Sequence, residues 1–159
     1  MESRPGKESA PGLSYERATA SPEDVATFIE LEKSVDGART YSAMTTEEEA
    51  RAEIARCTVY FVKRGEQVVG SVAYEMKSPD HAYISGLVTK PEFQGQDIGR
   101  EVMTKVLSEL ANVPLIDLVT HPENARSTAL YESLGFKKGE VKENYFDDGE
   151  PRVVMTLRR

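Results

Sequence analysis

A chain of 159 residues, with 39% hydrophobic and 30% charged residues, has the size and apolar content of one soluble domain with a single sizeable core. Its formal net charge of −7 weighs against nucleic-acid binding and suits a cationic small molecule or basic peptide as partner. The lone Cys57 excludes an intrachain disulfide, and the two histidines, His81 and His121, cannot assemble a spaced ligand cluster, so no metal is expected.

Residues 1–13 are rich in Pro, Gly, Ser and charge, which predicts a disordered tail before a single domain over 14–159. This stretch lacks the apolar segment of a signal peptide, and no later stretch has the apolar length to span a bilayer. A cytoplasmic protein without membrane contact is therefore expected. Tyr15 to Ala18 reads as a short strand. Ser21-Pro22-Glu23-Asp24 then supplies an N-cap, a proline at N1 and acids in the first turn, and Val25, Phe28, Ile29 and Val35 give the helix an apolar stripe. Thr46 with Glu49 three positions on opens a second helix to about Arg56. Strands at 58–62 and 67–74 flank a tight turn at Gly65.

Residues 82–89 form another strand, and Ile98, Val102, Met103, Val106, Leu107 and Leu110 repeat at helical spacing after it. With a strand at 115–119, this strand–helix–strand run predicts a parallel pair joined by a right-handed crossover. Residues 124–134 form a helix closed by Gly135, with Phe136 packing back. The chain should end in a hairpin, 138–146 and 152–157, around Asp147-Asp148-Gly149. The fold class is α/β: antiparallel N-terminal strands, a central parallel pair with its crossover helix, and a C-terminal hairpin.

The joint at 90–102, KPEFQGQDIGREV, carries the chemistry. A helix N-terminus offers unpaired N–H groups and a positive dipole end, so a loop wrapped onto it can hold phosphate. Gly95 and Gly99 let the backbone approach closely, while Gln94, Gln96 and Arg100 offer donors. The loop is not a dinucleotide fingerprint, which needs G-x-G-x-x-G. Nor is it a nucleoside-triphosphate loop, because Arg100 and Glu101 follow Gly99 where Lys and Ser or Thr are required. A helix capped by Asp97, with glycines shaping the turn, explains the loop alone equally well.

Taken together, ISGLVTKPEFQGQDIGREVMTKVL and NARSTALYESLGF, within residues 84–136, resemble the GNAT superfamily of N-acetyltransferases. The resemblance implies a GNAT-like mixed sheet and acetyl-CoA as co-substrate, its pyrophosphate gripped by Gln94, Gly95, Gln96, Asp97, Ile98, Gly99 and Arg100. Asp97 departs from the family's glycine. A carboxylate there repels pyrophosphate, and Arg100 is the residue placed to compensate. The resemblance also implies that the backbone of Leu87, Val88 and Thr89 meets the pantetheine arm and thioester carbonyl, one N–H serving as oxyanion donor. Asn124 would touch the cofactor arm or act as a plain N-cap.

Tyr131, two turns beyond Asn124 on the same helix face, is the expected general acid, since a phenol of pKa about 10 is protonated at neutral pH and can protonate a departing thiolate. The competing reading is a core tyrosine. No strand carboxylate supplies a base: Ser85 and Val119 occupy the strand positions, leaving His121, Glu75 or water. Cys57 reads as a core residue.

The segment ENYFDDGEPRVVM, residues 143–155, resembles the closing hairpin of ribosomal-protein alanine N-acetyltransferases, which implies that Tyr145 covers a peptide N-terminus. The acidic turn Asp147, Asp148 and Glu150 suits a polyamine equally, or is a solvated tip. The expected function is therefore acetyl transfer to a primary amine, on a peptide or a small cationic molecule, with neither nucleic acid nor membrane as partner and a homodimer left open. A GNAT-fold CoA-binding regulatory module without turnover is the alternative, and a different CoA-thioester transferase is a third.

Overall fold

In the computed structural model, residues 12–159 are described; residues 1–11, most of the expected tail, lie outside them. Strand β1 (Leu13–Arg17) starts two residues before the expected Tyr15. Helix α1 (Pro22–Ser34) begins where the Ser21 hydroxyl accepts the Asp24 N–H at 3.1 Å. Helix α2 (Glu47–Arg56) opens on a complete capping box: Thr46 Oγ1 accepts from Glu49 N–H at 3.1 Å, and Glu49 Oε1 accepts from Thr46 N–H at 3.2 Å.

Strands β2 (Thr58–Arg64), β3 (Gln67–Ser78) and β4 (His81–Thr89) follow as an antiparallel run, the first turn made by Gly65 at φ 63°. A 3₁₀ turn, Pro91–Phe93, leads to α3 (Ile98–Glu109), which crosses over to β5 (Leu115–Thr120), parallel to β4 as the sequence predicts. Helix α4 (Ala125–Ser133) and strands β6 (Lys137–Lys142) and β7 (Arg152–Arg158) complete a seven-stranded sheet of order β1-β2-β3-β4-β5-β7-β6.

The sheet buries a different core on each face. Helices α1 and α2 cover Val59, Phe61, Ala73 and Val88 with Val25, Phe28, Leu31, Ala50 and Ile54; Ile29 and Val35, expected in that stripe, are only partly buried. On the other face, Ile98, Val102, Met103, Val106 and Leu110 of the crossover segment meet Val72, Ala82, Ile84, Ile116 and Met155. Full burial of one such aliphatic or aromatic side chain stabilises by about 1.5–3 kcal/mol. One extra residue in β4 lets that strand serve both cores. Gly86 pairs with Ala73 but Ile84 with Tyr74, so Ser85 is a bulge and side-chain parity reverses there. Ala82 and Ile84 therefore face the α3 side, whereas Val88 faces α1 and α2.

The closing hairpin differs from expectation. β6 stops at Lys142 rather than Phe146, and a broad loop replaces the tight turn. Asn144, Asp147 and Gly149 all take positive φ, and Asn144 Oδ1 accepts the Gly149 N–H at 2.6 Å. Asp148 turns to the buried Arg152 at 3.0 Å.

Candidate active site

The site begins where the parallel pair comes apart. β4 and β5 pair only at His81↔Leu115, Ala82↔Ile116 and Tyr83↔Asp117, although β4 runs on to Thr89 and β5 to Thr120. The rest of β4 thus has β3 on one side and an open edge on the other. Lys90 N–H bonds to Val69 O at 2.9 Å, so by antiparallel alternation Gly86 and Val88 direct their backbone groups to β3. Leu87 and Thr89 direct theirs into the gap, and Gln94 Nε2 already reaches Thr89 O at 3.1 Å.

The loop after β4 wraps onto the N-terminus of α3. Gly95 sits at φ 85° and Asp97 at φ 63°, a left-handed backbone that Asp tolerates better than most residues. Of the two readings open for this loop, the side-chain cap is not made: Asp97 occupies the N-cap position with a left-handed backbone, and its carboxylate accepts no capping hydrogen bond. The first-turn N–H groups are left to whatever enters the cleft. A Cβ on Gly95 would reach 3.4 Å from Arg126 Nη2, and one on Gly99 would reach 3.5 Å from Leu130, so added side chains would take up space at the cleft wall.

A cleft of about 620 Å³ runs along this edge. Of the residues named from the sequence, Leu87, Val88, Thr89, Gln94, Gly95, Asp97, Ile98, Gly99, Arg100, Asn124 and Tyr131 line it. Gln96 does not; its Oε1 accepts from Arg64 at 2.8 Å, drawing the side chain toward β2. Arg100 donates to Ser133 Oγ at 2.9 Å, which directs its charge along α4. The sequence reading missed Arg126, a second cation lining the cleft from the first turn of α4. Its place two residues after Asn124 in NARSTALY was the available signal. Asn124 Oδ1 accepts from Ser127 N–H at 3.2 Å, so it is an N-cap and a cleft residue at once.

Tyr131 stands at the inner end. It is 8% exposed, and burial pushes its phenol up to about 12. α4 closes directly behind it: Phe136 N–H bonds to Tyr131 O and Gly135 N–H to Glu132 O, each at 3.0 Å, a Schellman ending with Gly135 at φ 104°. The Phe136 ring meets the Tyr131 ring edge to face at 6.0 Å.

A second cleft, of about 360 Å³, approaches from the α2 side and shares Thr40, Tyr41, Leu87, Asn124, Ser127 and Tyr131 with the first. Its wall includes Met44, Tyr83, Phe146 and Arg152, and also Glu53, a buried carboxylate not singled out from the sequence. Ser85 Oγ donates to Glu53 Oε2 at 2.6 Å, and Arg56 holds Oε1 at 2.6 Å. Cys57 Sγ lies 3.6 Å from Ser85 Oγ, its thiol pushed up by burial.

The two base candidates lie elsewhere. His121 is buried, with Nδ1 accepting Glu123 N–H at 3.0 Å and Nε2 on Glu150 at 2.7 Å, so both nitrogens are engaged. Glu75 is held between Arg56 at 3.5 Å and Lys77 at 3.3 Å. Glu150 also binds Arg39, which reaches Glu123 as well, and Asp148 binds Arg152. Two of the three acids of the closing loop therefore pair with buried partners, while the loop itself stays exposed. Among the described residues no group of three or more His, Cys, Asp or Glu could hold a metal ion, and no helix is long and apolar enough to cross a membrane.

An open strand edge leading from a glycine loop on a helix N-terminus to a buried phenol has counterparts among known proteins. The sequence pattern of the acetyltransferase (GNAT) family matches residues 26–136, and the chain belongs to that family of acyl-transferring enzymes. It is 32% identical over 83 residues to the ribosomal protein bS18-alanine N-acetyltransferase of Escherichia coli, covering 49% of this chain and 56% of that protein. The chain thus spans about half the length of the curated relatives it matches. The crystal structure of the ribosomal-protein alanine N-acetyltransferase from Escherichia coli superposes with a TM-score of 0.76 at 21% identity, covering 92% of this chain and 94% of that one. A GNAT acetyltransferase from Elizabethkingia anophelis, determined with acetyl-CoA bound, gives 0.72 at 15% identity over 92% and 98% of the two chains.

Proposed function

We propose that this protein is an acetyl-CoA-dependent N-acetyltransferase that acts on primary amines, with the N-terminal α-amine of a protein or peptide as the first acceptor class. The observation that carries the reading is the meeting of two clefts at Tyr131 and the open edge of β4. The larger cleft fits an extended phosphorylated thioester. It has the α3 N-terminus, Arg126 and Arg100 at one end for phosphate, and the outward backbone groups of Leu87 and Thr89 along its length for amide and carbonyl partners. The smaller cleft admits the acceptor. Support for a peptide comes from the relatives' acceptor, a ribosomal protein's alanine, and from the exposed Tyr145–Phe146 pair beside that cleft.

In this reading the Leu87 N–H stabilises the charge that develops on the carbonyl oxygen. Tyr131 gives its hydroxyl proton to the departing thiolate; its burial keeps that proton in place at neutral pH. The unpaired, buried Cys57 fits a reducing, cytoplasmic setting. The test is thiol release on mixing with acetyl-CoA and either an alanine-initiated peptide or spermine, alongside calorimetric titration of acetyl-CoA and of CoA. Saturable thiol release that needs the amine is the expected result, and none with either acceptor would refute the reading. A regulatory CoA-binding module is favoured by one observation, the uncapping Asp97 carboxylate in the cleft wall. It would bind acetyl-CoA with no amine-dependent release.

A further inference from the structure

The transfer leaves one proton without a destination, since an acceptor ammonium must lose it before its nitrogen can attack. Resting on the transferase reading above, we propose that Tyr41 and Glu32 form the relay that removes it: the ammonium N–H goes to Tyr41 Oη as the Tyr41 hydroxyl proton goes to Glu32 Oε2.

The geometry singles out this pair. Tyr41, in the segment between α1 and α2, lines both clefts beside Tyr131 and Leu87. Its Oη lies 3.9 Å from the Cβ position of Gly86, one residue before the outward-facing Leu87, so the hydroxyl stands over the face of β4 beside the place where the two clefts share Leu87. It donates to Glu32 at 3.0 Å (Oε2) and 3.1 Å (Oε1), which leaves its lone pairs for a donor from the cleft. Glu32 itself is 1% exposed and lines neither cleft, so Tyr41 is its link to the acceptor. Met44 N–H holds Oε1 at 2.8 Å, whereas Oε2 has the Tyr41 hydroxyl as its partner.

The surroundings favour uptake of a proton. Burial pushes the Glu32 carboxyl up to about 7, against the hydrogen bonds from Met44 and Tyr41, and Glu53 and Glu49 on α2 add negative charge. Tyr41 is pushed well above the ordinary phenol value by burial and by Glu32, with Glu53 and Tyr131 adding to it, so it passes a proton through rather than standing ionised. The two carboxylates that do line the acceptor cleft are engaged elsewhere: Glu53 has both oxygens taken by Arg56 and Ser85, and Glu49 Oε1 accepts from Thr46 N–H and Oγ1 in the capping box. In the relay one N–H and one O–H bond break while two O–H bonds form. Ammonium and carboxylate become amine and carboxylic acid, and Glu32 later returns its proton to solvent through Tyr41. The proton given to the thiolate comes separately from Tyr131.

The experiment compares wild type, Tyr41→Phe and Glu32→Gln by kcat/KM for an alanine-initiated peptide from pH 6 to 9.5, with acetyl-CoA affinity measured by calorimetry in each. Wild-type activity should rise through about pH 7. Both variants should lose that limb, with a deficit on the order of 100-fold at pH 7. The deficit should shrink above about pH 8, where a free α-amine sheds its own proton. Acetyl-CoA affinity should stay within about twofold. If Glu32 and Tyr41 merely staple the loop to α1, the variants will lose activity equally at every pH, and that parallel loss overturns the relay while leaving the transferase reading intact. Absence of thiol release by the wild type overturns both.

Discussion

Gly70→Ala should damage stability and cofactor binding together, because β3 and β4 touch at Gly70 without room for a methyl group. A Cβ there would lie 2.2 Å from Val88 O and 3.3 Å from Val88 C, both backbone atoms, where ordinary contact begins near 3.4 Å. No rotamer can relieve this, so β4 must retreat by about 1 Å. Overpacking of this kind costs about 1–3 kcal/mol. Reduced freedom of the unfolded chain returns roughly 0.4–1 kcal/mol. The net loss is then about 0–2.6 kcal/mol, and at about 2–4 °C per kcal/mol for a domain of this size Tm should fall by up to roughly 10 °C in a thermal melt. The far edge of β4 presents Leu87 and Thr89 to the cleft, so the same retreat misplaces the groups that meet the thioester arm. Displacement on this scale can cost about 100-fold in rate. A variant that keeps both the wild-type melt and the wild-type acetyl-CoA affinity would show that the two strands can separate freely there, and would refute the argument.

Tyr131→Phe should lower kcat by about 100-fold or more with acetyl-CoA affinity within about twofold, read by thiol release and calorimetry; lost affinity would assign the phenol to binding instead. Asp97→Asn should tighten acetyl-CoA binding by removing a carboxylate from the cleft wall while keeping a residue that tolerates left-handed backbone, and equal affinity would remove charge from the account. Glu32 gives a pH signature in stability. Its folded value of about 7 lies above its unfolded value near 4.5, so the folded state holds the extra proton between them, and stability falls as pH rises through that window. The loss is on the order of 3 kcal/mol. Glu32→Gln should flatten that slope in urea unfolding at pH 5 and 7.5, and an unchanged slope would contradict it.

Much of this architecture is legible because local signals agree with tertiary demands. The Thr46–Glu49 capping box and the apolar repeat from Ile98 to Leu110 each specify an element alone, and the strand–helix–strand order specifies the parallel pair. The glycine loop could be placed for the same reason. Asp97 as a side-chain cap could not be settled from residue type, because the left-handed backbone at that position depends on how the loop seats on α3. Glu32, Glu53 and Arg126 escaped notice because each has an ordinary place on a helix surface pattern. Only the packing of α1 and α2 against the sheet buries the two carboxylates, and only the seating of α4 beside the loop turns Arg126 to the cleft. The closing loop departs from the tight turn that Asp-Asp-Gly suits because Glu150 is committed to the distant His121, and because Asp148 finds its partner only once Arg152 is buried against the sheet.

The bulge at Ser85 makes insertions and deletions unequal along this chain. Removing one residue there would restore strict alternation along β4, swinging Val88 out of the α1–α2 core and exchanging the faces of Leu87 and Thr89 with it. A length change in the exposed turn at Gly65 leaves every downstream side chain on its own side. Drift in chain length is therefore tolerable at the rim of the sheet and intolerable at the single unpaired position beside the acceptor cleft, which ties the reading frame of one strand to the survival of the site.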